Sequence, residues 1–213
     1  MLTHPDGGHA GGLGPAMEGY GVRQLLLPVR EAGSPAFRRL LELAAPTGCR
    51  IKYGAEGGRY PLGEGAELEV LRIADRETGS RADDRCMVMR LHWHGWRILI
   101  TGDAGFDTEK ELLQREVPVQ SDLWIAGRHG SDHTGTIEFV RAVSPRVMVV
   151  SDGSYPEAER PAGWWVGAVE KEGIDLWRQR QTGAVMIEVR EDRLRLRSFL
   201  DPKRKTVLRK DGK

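Results

Sequence analysis

Short apolar runs bounded by polar or turn-forming residues recur along the chain and predict buried strands. The clearest are "VRQLLLPV", "SDLWIAG" and "PRVMVVSDG". Other segments repeat apolar residues at helical spacing, as "SPAFRRLLELAAPTG" does at Phe37, Leu40, Leu41 and Ala44. Ser34 is placed to cap this helix, Pro35 takes its first position and Gly48 ends it. The same spacing predicts helices in "TEKELLQREV", "TIEFVRAV" and "PAGWWVGAVEKEG".

The remaining segments predict hairpins and turns. The stretch "CRIKYGAEGGRYPLGEGAELEVLRI" is typical of a strand meander, and "RCMVMRLHWHGWRILITGD" of two strands joined at His94–Gly95. Near the N-terminus, "HAGGLGPAMEGYG" predicts a loop that leads into a short helix. The last strands are "IDLWRQ", "GAVMIEVRED" and "RLRLRSFL". Strands alternate with helices and then pair as hairpins, which indicates an α/β layered architecture with mixed sheets.

Domain organisation follows from the absence of repeats and linkers in this series. We expect one domain over residues 1–200, which suits a chain of 213 residues. Residues 201–213, "DPKRKTVLRKDGK", form a basic C-terminal tail. We expect the tail to be solvated and frayed, with a weak phosphate contact as the alternative.

Composition narrows the classes of function. The net charge is +1, so the chain as a whole does not attract nucleic acid strongly. No run approaches the ~18 apolar residues of a membrane span, and no secretory signal is visible. Cys49 and Cys86 lie in different elements and form no CxxC pair, which argues against a disulfide framework or a thiolate metal site.

Metal-ligating residue types gather in four stretches: "THPDGGH" at 3–9, "RADDRC" at 81–86, "LITGDAG" at 99–105 and "GRHGS" at 127–131. Imidazole and carboxylate ligands suit Zn²⁺, Mn²⁺ or Fe²⁺. His4 and Asp6 fall on one side of an extended segment because strand side chains alternate. His9 follows a glycine turn that lets it fold back toward them, and Asp103 projects from the end of a strand. The alternative for each residue is an ordinary polar loop.

Other polar and aromatic residues favour a structural interpretation. His92 and His94 flank a hairpin tip and are expected at the surface. Asp83 and Asp84 could reach the metal edge, but capping a turn is the preferred interpretation. Trp164–Trp165 fall on a helix pattern, which favours helix packing over base stacking.

The order of these motifs resembles metallo-β-lactamase-fold hydrolases, and within them the C-terminal hydrolase-like domain of ComEC/Rec2-type competence proteins. That family carries Ser/Thr-His-x-Asp-x-Asp-His-x-Gly-Gly-Leu, "LLTGD", "GHHGS" and a closing "GAV" strand. Here the corresponding stretches are "THPDGGHAGGL", "LITGD", "GRHGS" and "TGAVMIEV". The likeness runs in the same order over about residues 2–190.

The resemblance implies a four-layer αββα sandwich with one or two divalent ions, Zn or Mn, at one edge of the sheets. The implied ligands are His4, Asp6, His9, Asp103 and His129. Asp103 would bridge two ions, and Asp6 and Asp103 would be the catalytic carboxylates. The implied chemistry is metal-assisted hydrolysis of a phosphodiester, with DNA as the expected partner and substrate.

Two positions depart from the family motif. Gly8 replaces a carboxylate that the family uses for the second metal, and Arg128 replaces the first histidine of its "HHGS" pair. These departures keep a second hypothesis open. In that hypothesis the chain is a degenerate, non-catalytic remnant, or a domain that only contacts nucleic acid or a partner.

The resemblance also bears on what surrounds the domain. Family members have several strands before the His/Asp motif, so we expect the domain to be N-terminally truncated. The strand edge around residues 25–29 would then be open and apolar. A membrane channel domain encoded upstream is a further expected partner. A chain that stands alone would be cytoplasmic, and a domain of a membrane protein would be extracytoplasmic; the oligomeric state stays open.

Overall fold

The computed structural model describes residues 1–30, 33–73, 86–128, 134–153 and 160–210. Seven helices are assigned in these ranges: α1 (Gly7–Ala10), α2 (Leu13–Tyr20), α3 (Pro35–Ala44), α4 (Phe106–Gln114), α5 (Ile137–Val143), α6 (Gly163–Lys171) and α7 (Gln179–Thr182). The first six strands are β1 (Gln24–Leu27), β2 (Arg50–Tyr53), β3 (Arg59–Gly63), β4 (Ala66–Arg72), β5 (Val88–Trp93) and β6 (Trp96–Ile100). The others are β7 (Leu123–Arg128), β8 (Val147–Ser151), β9 (Asp175–Arg178), β10 (Val185–Val189), β11 (Arg193–Ser198) and β12 (Lys205–Arg209).

A seven-stranded sheet in the order β3-β4-β5-β6-β7-β8-β9 forms the centre of the molecule. Its first four strands pair antiparallel, and β6 to β9 pair parallel. Each parallel step needs a crossover, which α4, α5 and α6 supply in turn. The carboxyl ends of β6, β7 and β8 therefore meet at one edge of the sheet.

The two faces of the central sheet are covered by different layers. On one face, Leu99, Trp124 and Met148 pack against the buried sides of α4, α5 and α6. On the other face, two small sheets lie side by side. The antiparallel sheet β10-β11-β12 packs on Ile98 and Leu123, and the parallel pair β1-β2 packs on β4 and β5. Helices α2 and α3 cover that pair from outside, which gives the predicted αββα order of layers.

Helix α3 follows the sequence prediction closely. Ser34 Oγ accepts a hydrogen bond from Phe37 N at 3.4 Å, and Pro35 occupies the first turn. Phe37, Leu40 and Ala44 are buried, as predicted, whereas Leu41 is only half-buried. The helix ends at Ala44, and a turn closes at Gly48, whose φ is 69°.

One prediction about a strand is wrong. The strand predicted to begin the meander, β2, leaves it and pairs in parallel with β1. Within the described residues, the strand around residues 25–29 pairs with β2 alone, so its other edge has no partner strand and is contacted by Leu2 N, which donates to Leu26 O. The side chains of Leu25, Leu26 and Leu27 are nevertheless buried, so this part of the strand is not exposed as an apolar surface. The N-terminal truncation itself stays a prediction.

The frayed basic tail is also a wrong prediction for residues 205–209. These residues form β12, which pairs antiparallel with β11. Leu208 is buried against the central sheet, and the strand is paired along its length with β11. The expected boundary at residue 200 thus cuts through a three-stranded sheet.

The expectations for the hairpin histidines and the tryptophan pair can be compared with the structure. The hairpin at His94–Gly95 joins β5 to β6, and His92 and His94 stay partly exposed. Trp165 is buried in the helix layer, but Trp164 is exposed and does not share that packing. Asp83 and Asp84 lie outside the described residues. Among the described helices, none combines the length and the apolar character needed to cross a bilayer.

We predict that Phe37→Ala lowers the free energy of unfolding by at least about 3 kcal/mol, because the ring is fully buried between α3 and the sheet β1-β2. A urea melt followed by circular dichroism measures this loss. Arg38→Ala on the exposed side of the same helix is the control. A loss below about 1 kcal/mol for Phe37→Ala would contradict the assigned packing.

Candidate metal centre

The first residues of the chain cross the edge where β6, β7 and β8 end. A cavity of about 570 Å³ opens there. It is lined by Asp6 and His9 from the N-terminal segment, Asp103 from the turn after β6, and Gly127 from β7. Ligand sites in open α/β sheets lie at the carboxyl ends of strands, so this edge is where chemistry is expected.

Two main-chain hydrogen bonds hold the N-terminal segment in place. Leu2 N donates to Leu26 O of β1 at 2.9 Å, and Met87 N donates to Thr3 O at 2.8 Å. Residues 2–3 therefore link the small parallel sheet to the chain entering β5. Because residues 2–3 are held in this way, the His/Asp motif that follows them lies at the cavity.

The short helix α1 brings His9 back to Asp6. Asp6 caps the helix by accepting a hydrogen bond from His9 N at 2.9 Å. The predicted return of His9 toward Asp6 is confirmed, but a helical turn produces it where a glycine turn was expected.

The carboxylate of Asp6 contacts both imidazoles. Its Oδ2 lies 3.0 Å from His4 Nδ1, and its Oδ1 lies 2.9 Å from His9 Nδ1. His4 is only 3% exposed, while Asp6 and His9 are open to the cavity. Candidate ligand atoms of the three residues all lie within 4.8 Å of one another. A carboxylate that hydrogen-bonds to one ring nitrogen fixes the orientation of a histidine whose other nitrogen ligates a metal.

Asp103 joins the cluster through His9. The distance from His9 Nε2 to Asp103 Oδ2 is 3.5 Å. Two ligands on one tetrahedral ion, with bonds of about 2.0–2.1 Å, are separated by about 3.3 Å. The donor set and this spacing fit a divalent metal ion with little movement.

Opposing effects act on the pKa of Asp6. Burial raises this pKa, but the hydrogen bonds from His9 and the nearby charges of both histidines lower it by a larger amount. The net result is a pKa below the usual value for an aspartate, which keeps the carboxylate ionised beside the imidazoles.

Close contact between two glycines shapes the edge of the site. A Cβ built on Gly127 would lie 1.6 Å from Gly102 O, so β7 approaches the turn before Asp103 more closely than any other residue type permits. Gly102 has a φ of 54° and faces Thr3, whose Cβ would be 3.1 Å from a Cβ at position 102. The three stretches that carry the motifs therefore meet at Thr3, Gly102 and Gly127.

Four of the five predicted ligands lie in the described part of the chain, and the fifth does not. His4, Asp6 and His9 come together, and Asp103 contacts His9. His129 lies outside the described residues, and for Arg128 only the backbone is described, so neither role is tested.

Gly8 occupies α1 without a positive φ, and a Cβ there would meet only Asp6 Oδ1 at 3.4 Å. The backbone at position 8 therefore accommodates a Cβ in ordinary van der Waals contact.

Glu109 is a buried residue of the site's surroundings that the sequence analysis did not identify. Its carboxylate accepts hydrogen bonds from Thr134 Oγ1, Gly135 N, and both the main-chain N and Oγ1 of Thr136. Burial raises the pKa of this carboxyl group, while the hydrogen bonds act in the opposite direction. Glu109 thus fixes the chain that follows the "GRHGS" stretch. Its position three residues before Leu112, on the apolar side of α4, was the available signal.

Asp152 is a second carboxylate that the analysis did not identify, at the end of β8. Its side chain is fully buried and accepts hydrogen bonds from Arg178 Nε at 3.0 Å and Arg180 N at 2.8 Å. These contacts tie β8 to the start of α7. Because its charge is already paired with an arginine, we interpret Asp152 as a structural residue of the cavity wall and not as a metal ligand.

Comparison with known proteins gives two related sequences. The chain is 22% identical over 185 residues to ComE operon protein 3 of Bacillus subtilis (strain 168), covering 87% of this chain and 24% of that protein. It is 29% identical over 142 residues to competence protein ComA of Neisseria gonorrhoeae, covering 64% of this chain and 20% of that protein. The chain thus spans a quarter or less of these relatives. No model of a protein family matches it.

Solved structures show a shared fold. The crystal structure of Zn²⁺-bound PqqB from Methylobacterium extorquens aligns with a TM-score of 0.50 and 12% identity, covering 83% of this chain and 69% of PqqB. Tm1679, a metal-dependent hydrolase of the β-lactamase superfamily, aligns with a TM-score of 0.48 and 13% identity over 83% of this chain and 74% of its own. The likeness to PqqB is a likeness of fold, and the order of layers in the structure confirms the predicted αββα sandwich.

We predict that Gly127→Ala weakens divalent-metal binding by about tenfold or more, a loss typical of displaced supports around a metal site. The new methyl group must push the turn that carries Asp103 away from His9. Titration calorimetry with Zn²⁺ and Mn²⁺, together with a thermal melt, measures the effect. Gly167→Ala is the control, because a Cβ on that α6 residue meets open space. Unchanged metal affinity in Gly127→Ala would contradict the proposed contact.

Proposed function

We propose that this chain, a ComEC-like domain of the metallo-β-lactamase fold, is a metal-dependent hydrolase of phosphodiesters with DNA as its substrate. The observation that carries the proposal is the His4–Asp6–His9 cluster, which faces Asp103 in a cavity at the strand ends. The likeness to two competence proteins supports DNA as the substrate class.

The described residues offer two roles at a divalent ion, ligating the ion and orienting its ligands. His4, His9 and Asp103 offer imidazole and carboxylate ligands, and Asp6 is placed either to ligate or to orient both rings. His129 and a bridging role for Asp103 stay part of the proposal. Zn²⁺, which PqqB binds, and Mn²⁺ both accept this donor set, with one or two ions per chain.

A bound divalent cation would lower the pKa of a coordinated water toward ~7 and polarise the scissile bond. The chain's own contribution is positional. Asp6 Oδ1 is hydrogen-bonded to His9 Nδ1, and its Oδ2 lies 3.0 Å from His4 Nδ1, so one carboxylate orients both rings. Burial of His4 keeps one ring immobile, while the open side of the cavity admits a substrate between Asp6, His9 and Asp103.

The alternative function is a non-catalytic domain that contacts nucleic acid or a partner. Gly8 favours it, because a site with a glycine there offers one anionic ligand fewer to a second ion. The two functions differ in metal stoichiometry. A complete site binds about two divalent ions per chain, whereas a remnant binds none or one weakly.

We predict that Asp103→Asn abolishes metal-dependent hydrolysis and weakens metal binding, because the neutral amide removes charge from the ligand set. A nuclease assay on single-stranded DNA with added Mn²⁺, run beside a calorimetric metal titration, measures both effects. Asp107→Asn is the control, since this exposed carboxylate lies four residues away in the first turn of α4.

Retention of most activity in Asp103→Asn would contradict the assigned role of that carboxylate. If the parent chain binds Mn²⁺ and Zn²⁺ but cleaves no phosphodiester, the substrate class is wrong. If it binds neither ion, the non-catalytic alternative replaces the proposal.

A further inference from the structure

The outer face of the sheet β10-β11-β12 carries a row of arginines. Along β11, Leu194 and Leu196 are buried against the central sheet, so their neighbours project to the opposite side. Those neighbours are Arg193, Arg195 and Arg197. Alternate residues of a strand are about 6.7 Å apart, which sets the spacing of the row.

The flanking strands add cations to the same face. Arg197 pairs with Lys205 of β12, and Arg193 pairs with Arg209. On the other side Arg195 pairs with Glu188 of β10. We call the resulting surface the outer basic face, defined by Arg193, Arg195, Arg197, Lys205 and Arg209.

Few carboxylates neutralise this face. Glu188 Oε2 lies 3.6 Å from Arg195, and Asp192 Oδ2 lies 3.2 Å from Arg193. The side chains of the other three cations form no ion pair with the part of the chain that the structure describes. Because the whole chain has a net charge of only +1, this face is a local concentration of positive charge.

The underside of the sheet makes the face rigid. Leu194, Leu196 and Leu208 pack in one cluster with Trp96 and Trp177 of the central sheet. None of the described helices covers the opposite side, where the cations lie. The cations are therefore presented on a preformed surface, and binding a partner needs no rearrangement of the strands.

We propose that the outer basic face binds the phosphate backbone of a polynucleotide. Four of its five cations are arginines, whose planar guanidinium groups form paired hydrogen bonds with phosphate oxygens. A polynucleotide repeats its negative charge along its length, so it matches rows of cations that extend over three strands. The contact would be independent of base sequence.

An anionic membrane is the competing partner, and the surface favours it less. A membrane-binding face needs large apolar side chains among its cations. Only Met186 and Val207 of the three strands take such positions. The exposed Phe199 and Leu200 lie beyond the end of β11, outside the rows of cations.

This inference deepens the proposed function, since it names a surface that holds the proposed substrate class. It is nevertheless tested without hydrolysis, because the outer basic face includes none of the candidate metal ligands. Binding measured in excess EDTA therefore does not depend on a bound metal, and a failure there leaves the proposed metal centre untouched.

The experiment measures fluorescence anisotropy of a labelled single-stranded DNA of 30 nucleotides or so in EDTA, over a range of salt concentrations. The variant is Arg195→Thr/Arg197→Thr/Lys205→Thr, which keeps β-forming residues on exposed strand positions. The control is Arg38→Gln/Arg39→Gln/Arg50→Gln, which removes the same charge from exposed positions of α3 and β2. Thermal melts verify that both variants are folded.

We expect micromolar binding by the parent chain near physiological salt and about tenfold weaker binding by the outer-face variant. The logarithm of the association constant falls linearly with the logarithm of the salt concentration, with a slope of about 0.7 for each phosphate contact. The magnitude of this slope should therefore decrease by about 2 in the outer-face variant, which loses three cations. In the control it should stay near the parent value. Equal losses in both variants, or no DNA binding by the parent, would overturn the proposal. Binding to phosphatidylserine vesicles in preference to DNA would overturn it in favour of a membrane.

Discussion

The contact between Gly127 and Gly102 is the constraint on which the site depends. It draws the end of β7 onto the turn after β6 until no Cβ fits between them. Thr3 packs on the other side of the same turn, and its carbonyl is held by Met87 N. Asp103 and the His/Asp motif are therefore placed beside each other by backbone packing. The distances between the candidate ligand side chains are therefore set by the backbone and not by the side chains alone.

Sequence patterns predicted most of the central sheet, because hairpin and crossover segments have distinct periods of apolar residues. They failed where pairing depends on distant partners. The parallel pairing of β2 with β1 and the strand β12 both come from long-range contacts, such as the burial of Leu208, that a local pattern does not encode.

The site was predictable in its residue types and less so in its geometry. The motif order placed His4, Asp6, His9 and Asp103 at one edge, and the structure brings the first three together with Asp103 beside His9. Glu109 was missed because the acidic residues of an amphipathic helix ordinarily face water. Its position on the apolar side of α4 indicated burial, but its four hydrogen bonds depend on the chain at 134–136, which the helix pattern does not identify.

The proposed function requires at least one divalent ion that binds between His9 and Asp103, with His4 or Asp6 completing its ligands. Anomalous X-ray diffraction from crystals of the chain grown with Zn²⁺ tests it most directly. We expect an anomalous peak about 2.0–2.2 Å from His9 Nε2 and from a carboxylate oxygen of Asp103. A fully occupied peak elsewhere on the chain, or none at this edge at saturating Zn²⁺, would contradict it.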